Sequence, residues 1–352
     1  MKFRIILLIL FLFSAVNAQN PQLSPTPPIV EEDCGLADIP PVQINVSVWS
    51  SKIGYVKDFT NKDFDVSYAN APHEIDVFAL ENKPASIGLL FDLSGSMKSP
   101  NSFNKVSVAV ESFRSFLKES NSENEYSLFT FAKEVSVLQE PTQSQEEIYK
   151  ALDKVNTSEL KDAKTLFYDG VGLGYEKLLG GKHAKKILIA LTDGADNQSK
   201  KRLNEIKTLS RKESVQLYII NVVRHDYARD LESFLVFKSI PVLKREVKNL
   251  DSMSGNISAG YFVFNPNLTD LDAIVAETGG RIFYPTDAKE TDAVFREIAE
   301  EIKSQYTLGF YPKFLQKDWG KIEIKLNLLK EKRDKLGKVA IRTKRGYYSK
   351  KD

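Results

Sequence analysis

The chain has few of the residues that most often hold metals or staple small folds. Its 352 residues include one cysteine, Cys34, and three histidines, His73, His183 and His225. A lone cysteine excludes an internal disulfide and any Cys-rich zinc site. The histidines are too scattered for an imidazole metal motif, so metal chemistry here has to rest on oxygen ligands. Long apolar runs are also lacking: beyond the first residues no segment approaches the roughly 20 apolar positions a spanning helix needs. What is plentiful is core material. With 42% hydrophobic and 11% aromatic residues, the composition excludes collagen-like and disordered chains. The length predicts two domains, or one large domain carrying an insertion.

The two ends decide how the formal charge of +2 is understood. In residues 1–18, Lys2 and Arg4 precede an apolar run from Ile5 to Phe13 and the small-residue end Val16-Asn17-Ala18. This reads as a cleaved secretory signal, so the mature chain is expected to be secreted or periplasmic. Cys34 lies far beyond the run in an acidic context, which speaks against lipid anchoring. Without Lys2 and Arg4 the 49 basic residues become 47, equal to the 47 acidic ones, and the mature chain is neutral. Lys330 to Asp352 nevertheless holds ten Lys/Arg against three Asp/Glu. That basic end could make weak contact with an envelope surface or polyanion. The alternative is a pair of solvated strands whose lysines discourage edge pairing.

Hydrophobic rhythm gives the organisation. Residues 19–41 contain six prolines and read as a linker. Residues 42–83 form an N-terminal β module: Val42 to Trp49 and Phe64 to Tyr68 alternate with period two, and strand character resumes at Ile75 and Val77 after the turn-forming Asn70-Ala71-Pro72. Residues 84–305 alternate buried strands (Ile87–Phe91, Tyr126–Ala132, Lys186–Leu191, Val215–Val223) with helices, including Phe103–Leu117 and Ala293–Ile302. An excursion at about 224–267 interrupts the alternation. From 306 to 352 strand character returns without further helices. The expected fold class is α/β: a doubly wound, mostly parallel sheet inserted in a small β-sandwich formed by the N- and C-terminal strands.

The segment that carries chemistry is Asp92-Leu93-Ser94-Gly95-Ser96, at the carboxyl end of the first central strand, where doubly wound sheets bind ligands. A carboxylate and two hydroxyls at i, i+2 and i+4 of a tight turn can converge on one point as hard oxygen donors. The string alone is weak, since Asp and Ser are common turn residues. Thr165, in the loop before a helix, and Asp193, in Leu191-Thr192-Asp193-Gly194 at the end of another central strand, project onto the same sheet edge.

With these five positions the sequence resembles a von Willebrand factor type A domain with a complete metal-ion-dependent adhesion site. The resemblance implies a Rossmann-like fold. It also implies that Ser94 and Ser96 bind a divalent ion directly, that Thr165 binds it directly or through water, and that Asp92 and Asp193 act mostly through water. The implied ion is Mg²⁺, with Mn²⁺ or Ca²⁺ as substitutes, and the free coordination position would be filled by the carboxylate of a protein partner. Gly54-Tyr55-Val56, Lys62 to Val66, Ile87 to Met97, Ser304 to Tyr311 and Arg345-Gly346-Tyr347-Tyr348 together are similar to the bacterial exported VWFA-related group. Two departures are Asp162-Ala163-Lys164, where that group often has Gly-Gly before the threonine, and the 224–267 excursion.

Other motifs have simpler readings. Gly170-x-Gly172-x-Gly174 lacks the full dinucleotide spacing and reads as close helix packing. Ser94 and Ser96 lack a nucleophile elbow, His183 reads as a solvated loop residue, and Glu300-Glu301 as part of a charged helix face. The expected function is therefore a secreted, divalent-metal-dependent, adhesion-type protein-binding module rather than an enzyme, with no nucleic-acid partner and no transmembrane segment. A metal-dependent hydrolase of an envelope polymer, or a structural envelope-assembly protein with the site vacant, remain the alternatives.

Overall fold

The computed structural model describes residues 41–80, 82–97, 105–156, 164–193, 196–222, 266–313 and 319–348. The signal-like segment, Cys34 and its linker, the region near Ser102, Asp162-Ala163, and all but the last two residues of the 224–267 excursion with His225 lie outside these residues.

Four apolar runs build the centre of the molecule: β6 (Ala85–Asp92), β7 (Glu125–Phe131), β9 (Lys185–Thr192) and β10 (Val215–Asn221). Every residue of β6, β7 and β10 is buried, as expected of strands covered on both faces of a parallel sheet. With β8 (Val135–Thr142) and β11 (Ile282–Phe283) they form one sheet in the order β11-β10-β9-β6-β7-β8, parallel except for the antiparallel edge strand β8. Side-chain alternation sends Ile87, Leu89, Phe91, Ile187, Ile189 and Leu191 to one face, and Leu90, Leu188 and Ala190 to the other. The first face is covered by α1 (Lys105–Glu119), α2 (Gln145–Asn156) and α6 (Ala288–Lys303). The second is covered by α3 (Phe167–Leu179), α4 (Leu203–Lys212) and α5 (Pro266–Thr278). The glycines of α3 serve close packing: a Cβ on Gly170 would stand 3.2 Å from Leu90 and Phe131, and one on Gly174 would stand 2.9 Å from Leu188.

Strands from the two ends of the chain interleave. β1 (Val42–Ser50) lies between β12 (Tyr306–Phe310) and β14 (Val339–Thr343), antiparallel to both; β2 (Gly54–Tyr55) pairs with β1, and β5 (Val77–Leu80) with β12. A second sheet runs β15-β13-β3-β4, from Gly346–Tyr348, Trp319–Leu326, Phe64–Tyr68 and Ala71–His73 respectively. The two share a core that includes Val46, Val48, Phe64, Tyr68, Tyr306, Phe310 and Ile324. Tyr306 closes it: its hydroxyl donates to the Val56 carbonyl and accepts from the Phe59 amide, both at 3.0 Å.

Three expectations need correction. The turn after β3 lies at Ala69 and Asn70, both with positive φ, and Pro72 belongs to β4. A proline is tolerated there because β4 is an edge strand with one side of its ladder unpaired. The chain after residue 306 also contains a helix, α7 (Lys330–Leu336), so the basic end is not simply a pair of solvated strands. Its residues are good helix formers, Lys335 pairs with Glu331 at 3.0 Å, and it stops at Gly337, whose φ is +69°.

Third, Glu301 does not sit on a solvated helix face. It is 0% exposed and points from α6 into the seam between the α/β domain and the end strands. Ser47 Oγ donates to Oε1 at 3.0 Å and the Tyr55 hydroxyl to Oε2 at 2.8 Å, while Arg281 Nε and Arg342 Nη1 lie 3.4 and 3.6 Å from Oε2. Burial alone pushes this carboxyl up; the Arg342 and Arg281 charges, with the Tyr55 and Ser47 hydrogen bonds, more than reverse that, leaving it below the ordinary glutamate range. A depressed carboxyl stabilises the fold fully above the unfolded-state value and loses that contribution as pH falls through the folded value. We therefore expect Glu301→Gln to lower the unfolding free energy at pH 7 by about 3 kcal/mol, because Arg342 loses its facing carboxylate and Arg281 keeps only Glu297. The slope of stability against pH below the usual glutamate value of 4.5 should fall by about one proton. Urea titrations across pH 2–7 check both; an unchanged acid slope would remove Glu301 from this role.

Candidate metal centre

Strand order fixes where a site can form. From β6 the chain proceeds to β7 on one side, and β9 returns to the other, so the connections diverge between β6 and β9 and leave a crevice at their carboxyl ends. Phe91 of β6 pairs with Leu191 of β9, which places Asp92 beside Thr192 and Asp193.

Asp92 is the buried base of the site, 0% exposed. Its Oδ1 accepts the Ser94 amide and its Oδ2 the Thr192 hydroxyl, both at 2.8 Å. Burial, reinforced by the nearby charge of Asp193, pushes the Asp92 carboxyl up to about 6 despite these hydrogen bonds. The hydroxyls of Ser94 and Ser96 stand 3.0 Å apart, and Ser96 Oγ donates to Asp193 Oδ1 at 2.9 Å. Ser94 is buried and Ser96 exposed, so the row of oxygens runs from the interior to the rim. Four of the five expected residues thus form one connected set.

Thr165 joins from the adjoining loop through its backbone. Its amide donates to Asn197 Oδ1 at 2.9 Å, and its carbonyl accepts the Asn197 amide at 3.1 Å. Asp196 holds the start of α3 by accepting the Tyr168 amide at 3.0 Å, and Asp169 accepts the amides of Lys200 and Lys201, each at 2.9 Å. The segment after Asp193 therefore clamps the Thr165 loop to the sheet edge. Lys164, adjoining Thr165, is exposed.

Sequence reasoning missed several contributors. Thr192 orients Asp92, and its signal was present in Thr192-Asp193. Asn197 and Asp196 look like ordinary loop residues, and only the fold shows what they hold. Lys105, the first residue of α1, is 1% exposed with its ammonium 3.3 Å from Asp193 Oδ2.

The donor set consists of hydroxyl and carboxylate oxygens, the chemistry that hard divalent cations prefer. A raised buried carboxyl beside a second carboxylate is an environment that a cation would relieve, and no group of three or more His, Cys, Asp or Glu residues offers a rival site among the described residues. The residues fit a divalent ion. Of the described histidines, His183 bonds the Glu123 carbonyl at 2.8 Å and is half-buried rather than solvated, and His73 lies in β4 with Nδ1 against the Ala71 carbonyl. Neither stands at this edge.

The chain is similar to several known proteins. A protein of Borreliella burgdorferi (strain ATCC 35210 / DSM 4680 / CIP 102532 / B31), described as uncharacterized, is 26% identical over 140 residues, which are 39% of this chain and 40% of that protein. Among solved structures, proximal thread matrix protein 1 from the mussel byssus, described as having a zinc-occupied MIDAS motif, superposes with a TM-score of 0.47 at 18% identity, covering 68% of this chain and 50% of that one. BatB from Bacteroides thetaiotaomicron gives 0.41 at 13% identity, covering 63% and 100%. The chain spans half or less of the first two of these proteins. The von Willebrand factor type A domain profile matches residues 86–277, more than half of the chain, from within β6 to within α5, and the chain belongs to that family.

Proposed function

We propose that the protein is a divalent-cation-dependent protein-binding module of the adhesion type, acting outside the cytoplasm after loss of residues 1–18. The observation that supports it is the continuous set Asp92, Ser94, Ser96 and Asp193, oxygen donors only, running from a buried carboxylate to an exposed hydroxyl. In this reading Ser94 and Ser96 ligate the ion through their hydroxyls, Thr165 does so directly or through water, and Asp92 and Asp193 mostly through bound water. Mg²⁺ suits such a shell, with Mn²⁺ or Ca²⁺ as substitutes. When bound, the ion supplies an electrophilic position open at the rim, and a partner's carboxylate is the natural oxygen donor to fill it. The chain's own part is to hold the donors in place and keep Asp92 dry. We assign residues 84–305 to this binding domain, and 42–83 with 306–352 to a β-sandwich that carries it.

Three outcomes follow. Ser94→Ala combined with Ser96→Ala should abolish Mg²⁺ and Mn²⁺ binding in calorimetry while leaving the fold intact. Capture of an envelope protein by the immobilised chain should be lost with chelator and with Asp193→Ala; capture that ignores both would overturn the adhesion reading. Asn197→Ala alters no proposed ligand, yet by removing the side-chain oxygen that accepts the Thr165 amide it should weaken cation binding by about five- to fiftyfold, the effect of losing one supporting hydrogen bond. Calorimetry on that variant checks it, and full wild-type affinity would show that Thr165 takes no part.

A further inference from the structure

A buried lysine is costly. Taking an ammonium out of water costs several kcal/mol unless a counter-charge and hydrogen bonds meet it. Lys105 at the start of α1 is 1% exposed, and its ammonium lies 3.3 Å from Asp193 Oδ2, with the Asp193 side chain itself 9% exposed. The division of labour on Asp193 is specific: Oδ1 faces the serines through Ser96, and Oδ2 faces the lysine. One carboxylate is thus shared between the oxygen row and an internal cation.

We infer that Lys105 is a tethered rival for the divalent cation, a residue that lowers the affinity of the site by neutralising Asp193 from behind. This inference rests on the reading of Asp92, Ser94, Ser96 and Asp193 as a metal site. The charge arithmetic carries it. Asp92 and Asp193 bring two negative charges, and Lys105 cancels one of them. A divalent ion entering at the rim meets a fixed positive charge, and repulsion in so dry a setting is several times stronger than in water. The backbone of Lys105 is held close to Asp193, because Val106, Ala109 and Val110 of the same helix are buried in the core. The same charge has a second effect. Among the described residues, two carboxylates, one divalent ion and one ammonium sum to a net positive centre, which favours an anionic ligand at the open position and disfavours a neutral one. Lys105 therefore acts through Asp193 as a positioning residue that exchanges cation affinity for preference toward a carboxylate.

The test is calorimetric titration of Mg²⁺ and Mn²⁺ into wild type, Lys105→Met and Lys105→Gln, each checked for a native circular dichroism spectrum and a cooperative melt. Both variants should bind the cations on the order of tenfold or more tightly than wild type. Equal or weaker binding overturns the inference, since a lysine with only a structural role would leave affinity unchanged or reduce it through a disturbed Asp193. If wild type binds no cation but Lys105→Met does, the rivalry stands and the metal-dependent function of the native protein falls. If neither binds, both fall; if both bind equally, only the rivalry falls. Should neither variant fold, the wild-type protein decides. The Lys105 side-chain NMR resonance should shift in step with Mg²⁺ saturation, and a stationary signal overturns the inference.

Discussion

Glu301 is the point at which the two halves of this chain become one structure. Its carboxylate leaves α6, the last helix of the α/β domain, and meets Ser47 of β1, Tyr55 of β2, Arg281 ahead of β11 and Arg342 of β14. A glutamate with no solvent exposure is tolerable only where such partners surround it. Ser47 and Tyr55 lie 254 and 246 residues from Glu301 in sequence, so the cluster forms only when both ends of the chain have paired. The demand for neutralisation is thereby a demand for the correct topology. A second seam reinforces it: Arg211 and Lys212 at the end of α4 lie over Trp319 and Tyr348 at 5.7 and 5.3 Å, and Lys344 donates to the Glu213 carbonyl at 2.9 Å.

The candidate centre follows the same logic at smaller scale. Parallel strands end together, so residues that follow β6 and β9 meet without any long-range design. What the fold adds is dryness and fixed orientation. Thr192 and the Ser94 amide hold both oxygens of Asp92, and Asn197 ties a third loop to the edge. Gly279 and Gly280 secure the neighbouring region. Gly279 takes φ +76°, and a Cβ on Gly280 would stand 1.8 Å from the Leu217 carbonyl oxygen, so only glycine lets the chain pass there into β11.

These levels differ in how they show in sequence. Buried parallel strands are written in consecutive apolar residues, and α1 in Val106, Val110, Phe113 and Leu117 at helical spacing, because burial selects directly for hydrophobicity. Asp92, Ser94 and Ser96 were legible because one turn holds all three, and Asp193 because it ends a recognisable strand. Glu301 and Lys105 were not legible. A charge on a helix reads as solvent-facing, and only knowledge of which side another domain covers reverses that. Pro72 was misread for a related reason, since its tolerance depends on β4 being an edge. Lys330 to Leu336 combined strand-like neighbours with helix-forming residues, and local propensity with an i,i+4 ion pair decided it.

The basic end of the chain shows how far composition can mislead about partners. Lys332 bonds Asp63 at 2.9 Å and lies 4.4 Å over the Phe59 ring, Arg342 faces Glu301 and Lys344 lies over Trp319. These cations bind the terminal strands to the body of the protein, so the excess of basic residues after position 330 is in part an internal counterweight to the acids that precede it. A polyanion or anionic surface could engage only the outward remainder, such as Lys330, Lys338 and Arg345, and exposed charges of this kind are strongly screened by salt. The fields at the strand ends escape that screening because Asp92 and Lys105 are dry. The dry electrostatics therefore belong to the crevice between β6 and β9, while in the tail Lys332, Arg342 and Lys344 are engaged with other parts of the chain.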